Sequence, residues 1–380
     1  MIMPEDMMIF NNAFILTESG YIHGGLRVEN GVFAEVFEGT CSDGADFNGA
    51  KIIPGLVDIH THGNSGHDFS DGDLQGLKAM SGYLARHGIT SFTPASMTLP
   101  YEDLDRAFRA ARDLHDAQSE GCAKVIGIHM EGPFFSFKKK GAQNAAFLKE
   151  PDIEAFRKLY ESSGGLIRIV DIAPELPGSA DFIKEACKLC RVSVAHTDAD
   201  YEEAAAAYDE GASHLTHLFN AMPQIHHRKP GVIGAASERE YVTAELICDG
   251  IHVHPSSVRM AFRLFPGRIC LISDALRCCG MPDGEYMLGG QKVCLENSRA
   301  HLEDGTIAGS AVNLFDCVRQ AVRFGIPEIS AIRAASIVPA RVVKEDARIG
   351  SIEPGKAADF LVCDEELNLL QTFINGVRVQ

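Results

Sequence analysis

The sequence predicts an α/β protein, a (β/α)8 TIM barrel with a small β-sandwich beside it, on three observations. Eight short, apolar, β-rich runs follow one another between residues 52 and 275. Stretches with helical periodicity separate most of them. Both ends of the chain instead alternate residue by residue and turn at glycines, with no helical period. Near-continuous apolar strands divided by amphipathic helices imply a parallel sheet covered by helices. Eight repeats suit a closed barrel better than an open doubly wound sheet, which is the alternative.

Taken in order, the N-terminal segment contains FILTESGYIHGGLRVENGVFAEVFEG. It and the C-terminal IGSIEPGKAADFLVCDEELNLLQTFINGVRVQ are each too small to bury a core alone. Residues 1–53 and 351–380 are therefore expected to pair as one small β-sandwich domain, with residues 54–350 forming the barrel. The eight strand runs are IIPGLVDIHTH (52–62), ITSFTPA (89–95), KVIGIHMEG (124–132), LIRIVDIAPE (166–175), VSVAHTD (192–198), HLTHLFN (214–220), TAELICDGIHV (243–253) and RICLISDA (268–275). Helices are expected at EDLDRAFRAARDLHDA, PDIEAFRKLYESS, ADFIKEACKL and YEEAAAAYDEG. Residues 284–308 read as hairpins, an excursion after the eighth strand, and AVNLFDCVRQAVRFG and EISAIRAASIVPARVV return to helix.

Composition narrows the class. With 46% apolar and 23% charged residues the chain is an ordinary globular protein. No apolar run approaches the roughly 20 residues of a membrane span. The N-terminus, MIMPEDMMIFNNAF, carries acids where an export signal would be basic, so a cytoplasmic location is expected. A net charge of −17 argues against nucleic acid or an anionic membrane as partner, although a small phosphorylated ligand needs only a few local cations. The eleven cysteines are scattered, as in a reduced chain without a disulfide framework. Cys187 and Cys190 form one Cys-x-x-Cys, read as two half-buried helix cysteines in place of a zinc or redox motif.

The chemistry is read from the ends of the strand runs. His60 and His62 lie two apart, so both imidazoles face one side of the first strand. A bare His-x-His is weak, but here it closes PGLVDI, an apolar strand opened by Pro-Gly. Glu131 closes the third run, His196 the fifth, His217 lies in the sixth and Asp274 closes the eighth. Any one of these is as readily a hydrogen-bonded core residue; a whole set of metal-ligand types on one rim is not explained by packing. Zinc or iron suits such a His/Glu set, and magnesium does not. Asp274, in LISDAL, is placed to take a proton from an attacking water and return it to a departing amine, or to ligate the metal, or both. His129 is expected behind the ligands, His214 in or before the sixth strand, and His87, His115 and His301 in solvent.

These motifs together resemble the N-acetylglucosamine-6-phosphate deacetylases of the amidohydrolase superfamily. The resemblance runs over nearly the whole chain, through PGLVDIHTHG, HMEGPFFSFKKKGAQN, APE, AHTDA, THLFNAMPQIHHRKPGVIGAA, DGIHVHP, ISDA, GMPDGEYMLGG, GTIAGS and IEPGKAADF. It implies hydrolysis of the acetamide of a phosphorylated N-acetyl amino sugar by a homodimer. It implies Glu131, His196 and His217 as ligands of the principal divalent metal and Asp274 as catalytic acid/base. It further implies that Asn220, Ala221 and Arg228 bind the phosphate, that His252 contacts substrate, and that Ala142 and the segment Ile307, Ala308, Gly309 line the sugar site.

Two departures bear on this. Some members of the family lack the first-strand histidine pair and hold one metal; with His60 and His62 present, a second metal bridged through Glu131 is expected. Where the family commonly has Gly-Ala-His, this chain has Gly141-Ala142-Gln143, which puts the sugar epimer in question. Hydantoinase-type relatives carry a bridging lysine after the fourth strand, and IVDIAPE has none. The rival readings are N-acetylgalactosamine-6-phosphate deacetylation, another amidohydrolase reaction, or a non-enzymatic sugar-phosphate sensor on the same fold.

Overall fold

Strands form where β-branched and aromatic residues cluster. In a computed structural model, which describes residues 7–41, 43–117 and 121–380, the chain opens with β1 (Met7–Thr17), β2 (Gly20–Glu29), β3 (Val32–Glu38) and β4 (Lys51–Pro54). Residues 1–6, on which the export-signal expectation partly rests, lie outside the described residues. Next come β5 (Leu56–Thr61), β6 (Ile89–Pro94), β7 (Lys124–Val125), β8 (Ile128–Met130), β9 (Ile167–Ile172), β10 (Arg191–Val194), β11 (His214–Leu215), β12 (Thr243–Ile247) and β13 (Ile269–Ile272). A hairpin excursion, β14 (Gly284–Leu288), β15 (Gln291–Glu296) and β16 (Arg299–Leu302), leads through helices to β17 (Phe360–Cys363) and β18 (Leu369–Ile374).

Strands β5 to β13 make a curled parallel sheet that follows sequence order. β5, β6 and β7 pair side by side, as do β8 through β13. A parallel bridge between Ala95 and His129 joins the two sets. At the far end Asp274 N donates to His60 O at 2.9 Å, so the end of the last strand meets the end of the first.

The third run, expected as one strand, is two. Gly127 divides it, because the Arg168 side chain packs where a Cβ at position 127 would stand, 2.2 Å from its Cγ. β7 therefore pairs back to β6 and β8 forward to β9.

Helices take up the links. Asp73, Asp152 and Asp200 cap α1 (Leu74–Arg86), α3 (Ile153–Ser162) and α4 (Tyr201–Asp209) by accepting from first-turn amides. Between the first two, α2 (Tyr101–Ala117) buries Leu104, Ala107, Phe108, Ala111 and Leu114, a stripe with helical spacing laid on the sheet. His87 and His115, expected in solvent, are half-buried and donate Nδ1–H to the carbonyls of Tyr83 and Val125; His301 is half-buried as well. Cys190 is buried and Cys187 half-buried, both as free thiols.

The two ends of the chain pair in one sheet, ordered β18-β17-β4-β1-β2-β3 with two-residue strands at its margins. Ile53 is registered with Leu361, and Ile52 with Val362. Phe10, Phe33, Phe360 and Phe373 fill its core, the last two stacked at 4.5 Å. Lys124 ties this sheet to the curled one, its Nζ 2.8 and 2.9 Å from the buried carboxylate of Asp359. Among the described residues no helix is long and apolar enough to cross a membrane.

Candidate metal centre and active site

The site is assembled by how the strands end. His60 lies on β5 and His62 one residue past its end, and the two-residue spacing puts them on one face. Glu131 follows β8 directly. His196, His217 and Asp274 each stand two residues beyond their strands, and each has a left-handed backbone, φ 44°, 30° and 48°. Non-glycine residues seldom adopt this conformation, and its cost is typically met at functional sites. The strand ends thus bend inward and bring the side chains to one point. His217, expected within its strand, lies past the end because β11 has only two residues.

Three groups of ligand-type atoms result: two meet around Glu131, namely Glu131, His196 and His217, and His60, His62 and Asp274, while a third, His60, His129 and Glu245, lies beneath them. Glu131 Oε1 is 3.1 Å from His196 Nε2 and 3.2 Å from His217 Nε2, and the two Nε2 atoms are 3.0 Å apart. His62 Nε2 lies 3.1 Å from Asp274 Oδ1 and 3.3 Å from Glu131 Oε2, while His60 Nε2 lies 3.6 Å from Asp274 Oδ1. Glu131 thereby faces both groups.

The ring nitrogens identify what the centre accommodates. His62 Nδ1 donates to Ala95 O at 3.0 Å and His196 Nδ1 to Lys139 O at 2.9 Å. His60 Nδ1 donates to Glu245 Oε2 at 2.9 Å. With Nδ1 bonded from behind, each Nε2 faces the centre, sharing a proton with the carboxylates when no cation is bound and offering a lone pair to one that is, and that of His60 is buried with no hydrogen-bond partner. Lone pairs and carboxylate oxygens converging at about 3 Å match the roughly 3.3 Å edge of a tetrahedral zinc shell. The donor set fits a divalent transition metal.

Charge agrees with geometry. Burial alone would raise the Glu131 carboxyl, but His60 and the hydrogen bonds from His196, His217 and His62 hold it well below the usual range. Burial likewise works against ionised Asp274, and the His62 hydrogen bond with the His60 and His62 charges overcomes it. For His217, burial favours the neutral ring, yet Glu131 and the nearby acids push its pKa to about 9. The centre demands positive charge.

A cavity of about 190 Å³ opens above these groups. That is below the roughly 300–1,000 Å³ of pockets that enclose drug-sized ligands. His62, Glu131, His196, His217, Asn220, Ala221, His252 and Asp274 line it, as do Ala142, Gln143, Ile307, Ala308 and Gly309. His60 lies beneath the lining. Arg228 is outside it, exposed on the turn after Ala221 with its guanidinium 2.5 Å from His227 Nε2. Gln143 turns to the candidate ligand Glu131: its Nε2 donates to Glu131 Oε2 at 2.7 Å and its Oε1 accepts from Thr98 N at 2.8 Å. A larger crevice of about 680 Å³ lies by Pro54 and Ile269, at the opposite strand ends, and none of the ligand groups lines it.

Sequence reading missed the second layer. Glu245 and Asp171 are fully buried beneath the centre. His129, expected behind the ligands, is there: its ring nitrogens lie 3.0 Å from Ile59 O and 2.9 Å from Asp171 Oδ1. Both face acceptors; although burial opposes charge, Asp171 and Glu245 carry its pKa to about 9. Asp249 Oδ2, 2.7 Å from His252 Nδ1, orients that ring at the cavity wall. The available signal was an acid inside an apolar run, as in TAELIC.

Residues 52–379 match the Amidohydrolase family. The chain is 37% identical over 333 residues to an N-acetylglucosamine-6-phosphate deacetylase of Bacillus subtilis, covering 86% of this chain and 83% of that protein. It is 33% identical to an N-acetylgalactosamine-6-phosphate deacetylase of Escherichia coli O157:H7, covering 95% and 96%. Its fold is similar to that of a mutant N-acetyl-D-glucosamine-6-phosphate deacetylase from Mycobacterium smegmatis in complex with N-acetyl-D-glucosamine-6-phosphate. The TM-score is 0.93 at 30% identity, over 98% of this chain and 99% of that one.

Proposed function

The chain belongs to the amidohydrolase family, and from that premise we propose that it hydrolyses the acetamide of N-acetyl-D-glucosamine 6-phosphate to glucosamine 6-phosphate and acetate. The observation that carries this reading is the convergence of Asp274 with two histidine-carboxylate groups at the floor of a small cavity. Glu131, His196 and His217 would hold the principal divalent metal, zinc or iron, and His60 and His62 a second one shared through Glu131. When bound, the metal supplies Lewis acidity toward the acetamide carbonyl and the attacking water.

Asp274 then has a defined task. Its carboxylate takes a proton from the water as oxygen adds to the acetamide carbon. The same proton passes to the amine nitrogen as the C–N bond breaks, so a neutral amine and acetic acid leave, the acid giving the water's second proton to solvent to become acetate, and the carboxylate is restored. His252, oriented by Asp249, steadies the substrate. Asn220 and Ala221 receive the phosphate end, with Arg228 on the same loop as its cation. Ala142, Gln143 and residues 307–309 border the sugar.

At the level of architecture, the curled sheet is read as a closed (β/α)8 barrel of residues 54–350. The bond from Asp274 N to His60 O and the strand order support this. Residues 1–53 and 351–380 are read as the flanking sandwich. A homodimer in the cytoplasm completes the proposal; eleven unpaired cysteines suit a reducing compartment.

The test is acetate release from metal-quantified protein. N-acetylglucosamine 6-phosphate is expected to exceed both its galactose epimer and unphosphorylated N-acetylglucosamine in kcat/KM. Preference for the galactose epimer would overturn the sugar assignment, and equal rates on the unphosphorylated sugar would overturn the phosphate assignment.

A further inference from the structure

Glu245 stands on β12 directly under the centre, fully buried. An ionised carboxylate there gives up its hydration and needs a full set of donors in exchange. It has them. Oε2 lies 2.9 Å from His60 Nδ1 and accepts from His217 N at 3.2 Å. Oε1 lies 3.2 Å from His214 Nε2 and 3.6 Å from His129 Nδ1. Its main-chain carbonyl accepts from Leu218 N at 2.8 Å.

These contacts reach one member of each ligand group. His60 belongs to the group with His62 and Asp274, and its ring is held from behind. His217 belongs to the group with Glu131 and His196, and its strained left-handed backbone is pinned from both sides, by the Glu245 side chain at its own amide and by the Glu245 carbonyl at the next. The other ligand histidines whose Nδ1 is bonded, His62 and His196, use main-chain carbonyls. Only a carboxylate at position 245 spans both groups in this way among the described residues.

We propose that Glu245 is the positioning residue of the centre: it fixes the proton of His60 on Nδ1, holds the His217 turn, and so sets the affinity of both cation sites. This rests on the metal-dependent reading above. Outer-layer carboxylates behind ligand histidines commonly change metal affinity by about 10- to 100-fold when replaced.

The experiment titrates the full-length, metal-stripped protein with cobalt(II), followed by visible absorbance and by chelator competition. Glu245→Gln is expected to weaken cobalt binding by about 10- to 100-fold and to alter the absorption bands. His214→Asn removes another Glu245 partner that touches no ligand, and it is expected to leave cobalt affinity within about twofold, below the range for outer-layer carboxylates. Unchanged affinity in a folded Glu245→Gln, or an equal loss in His214→Asn, overturns the proposal.

Should Glu245→Gln fail to fold, nitrogen-15 NMR of wild-type histidines decides, with His60→Asn for assignment. A hydrogen-bonded proton on His60 Nδ1 supports the proposal, and a proton on Nε2 overturns it. Neither readout needs a sugar. Loss of cobalt affinity with no acetate from any substrate would remove the function assigned above and leave Glu245 standing.

Discussion

At the residue scale, what the sequence reveals depends on whether a side chain announces its chemistry locally. Glu131, His196, His217 and Asp274 stand at the ends of apolar runs, where packing gives no reason for them, and the fold brings all of them to one cavity. Glu245 and Asp171 perform equally definite tasks, yet each is a single acid in a strand. Their meaning depends on histidines far away in sequence, 185 residues in the case of His60 and Glu245. Arg228 is the reverse case, visible in HHRKPG but exposed outside the cavity lining. If it serves the phosphate, Arg228→Ala raises KM for the phosphorylated substrate about 10-fold or more, the loss of one charge-assisted contact, and leaves kcat nearly intact. Steady-state kinetics check this, and an unchanged KM would remove Arg228 from the phosphate site.

Elements explain why those residues meet. The strand runs were legible because each is short and apolar and most are followed by a helical period; all eight carry parallel strands. The left-handed turns at His196, His217 and Asp274 were not legible, since such turns depend on contacts made across the sheet. The loop after β16 shows such a contact. Ser310 N donates to Asp274 O at 2.7 Å, and a Cβ added at Gly309 would stand 2.4 Å from that same oxygen. Gly309→Ala is therefore expected to displace Asp274 and lower kcat by about 10- to 100-fold, as sub-ångström to ångström misplacements do. The melting temperature is expected to fall as well, since the clash is with backbone. Equal kcat in wild type and variant would show that this loop does not position the carboxylate.

For the whole molecule, sequence order and spatial order coincide in the curled sheet, which is why the repeat could be read directly. The terminal sheet lacks that correspondence. Its decisive pairing, Ile53 with Leu361, joins the two ends of the chain, and only the shared alternating pattern hinted at it. The third run hid its division for a similar reason, because Gly127 yields to an arginine of the following strand. What unites these parts is a floor of histidines and carboxylates, proposed above to hold a divalent cation and cleave an amide. Acetate release by the metal-loaded protein before and after Asp274→Asn tests this most directly. The account predicts steady acetate production from N-acetylglucosamine 6-phosphate by the wild type. In the variant it predicts a fall in kcat of roughly 100- to 10,000-fold, the usual contribution of a positioned acid/base, with metal content measured alongside. A wild-type rate in Asp274→Asn, or no acetate from wild type loaded with zinc or iron, would contradict it.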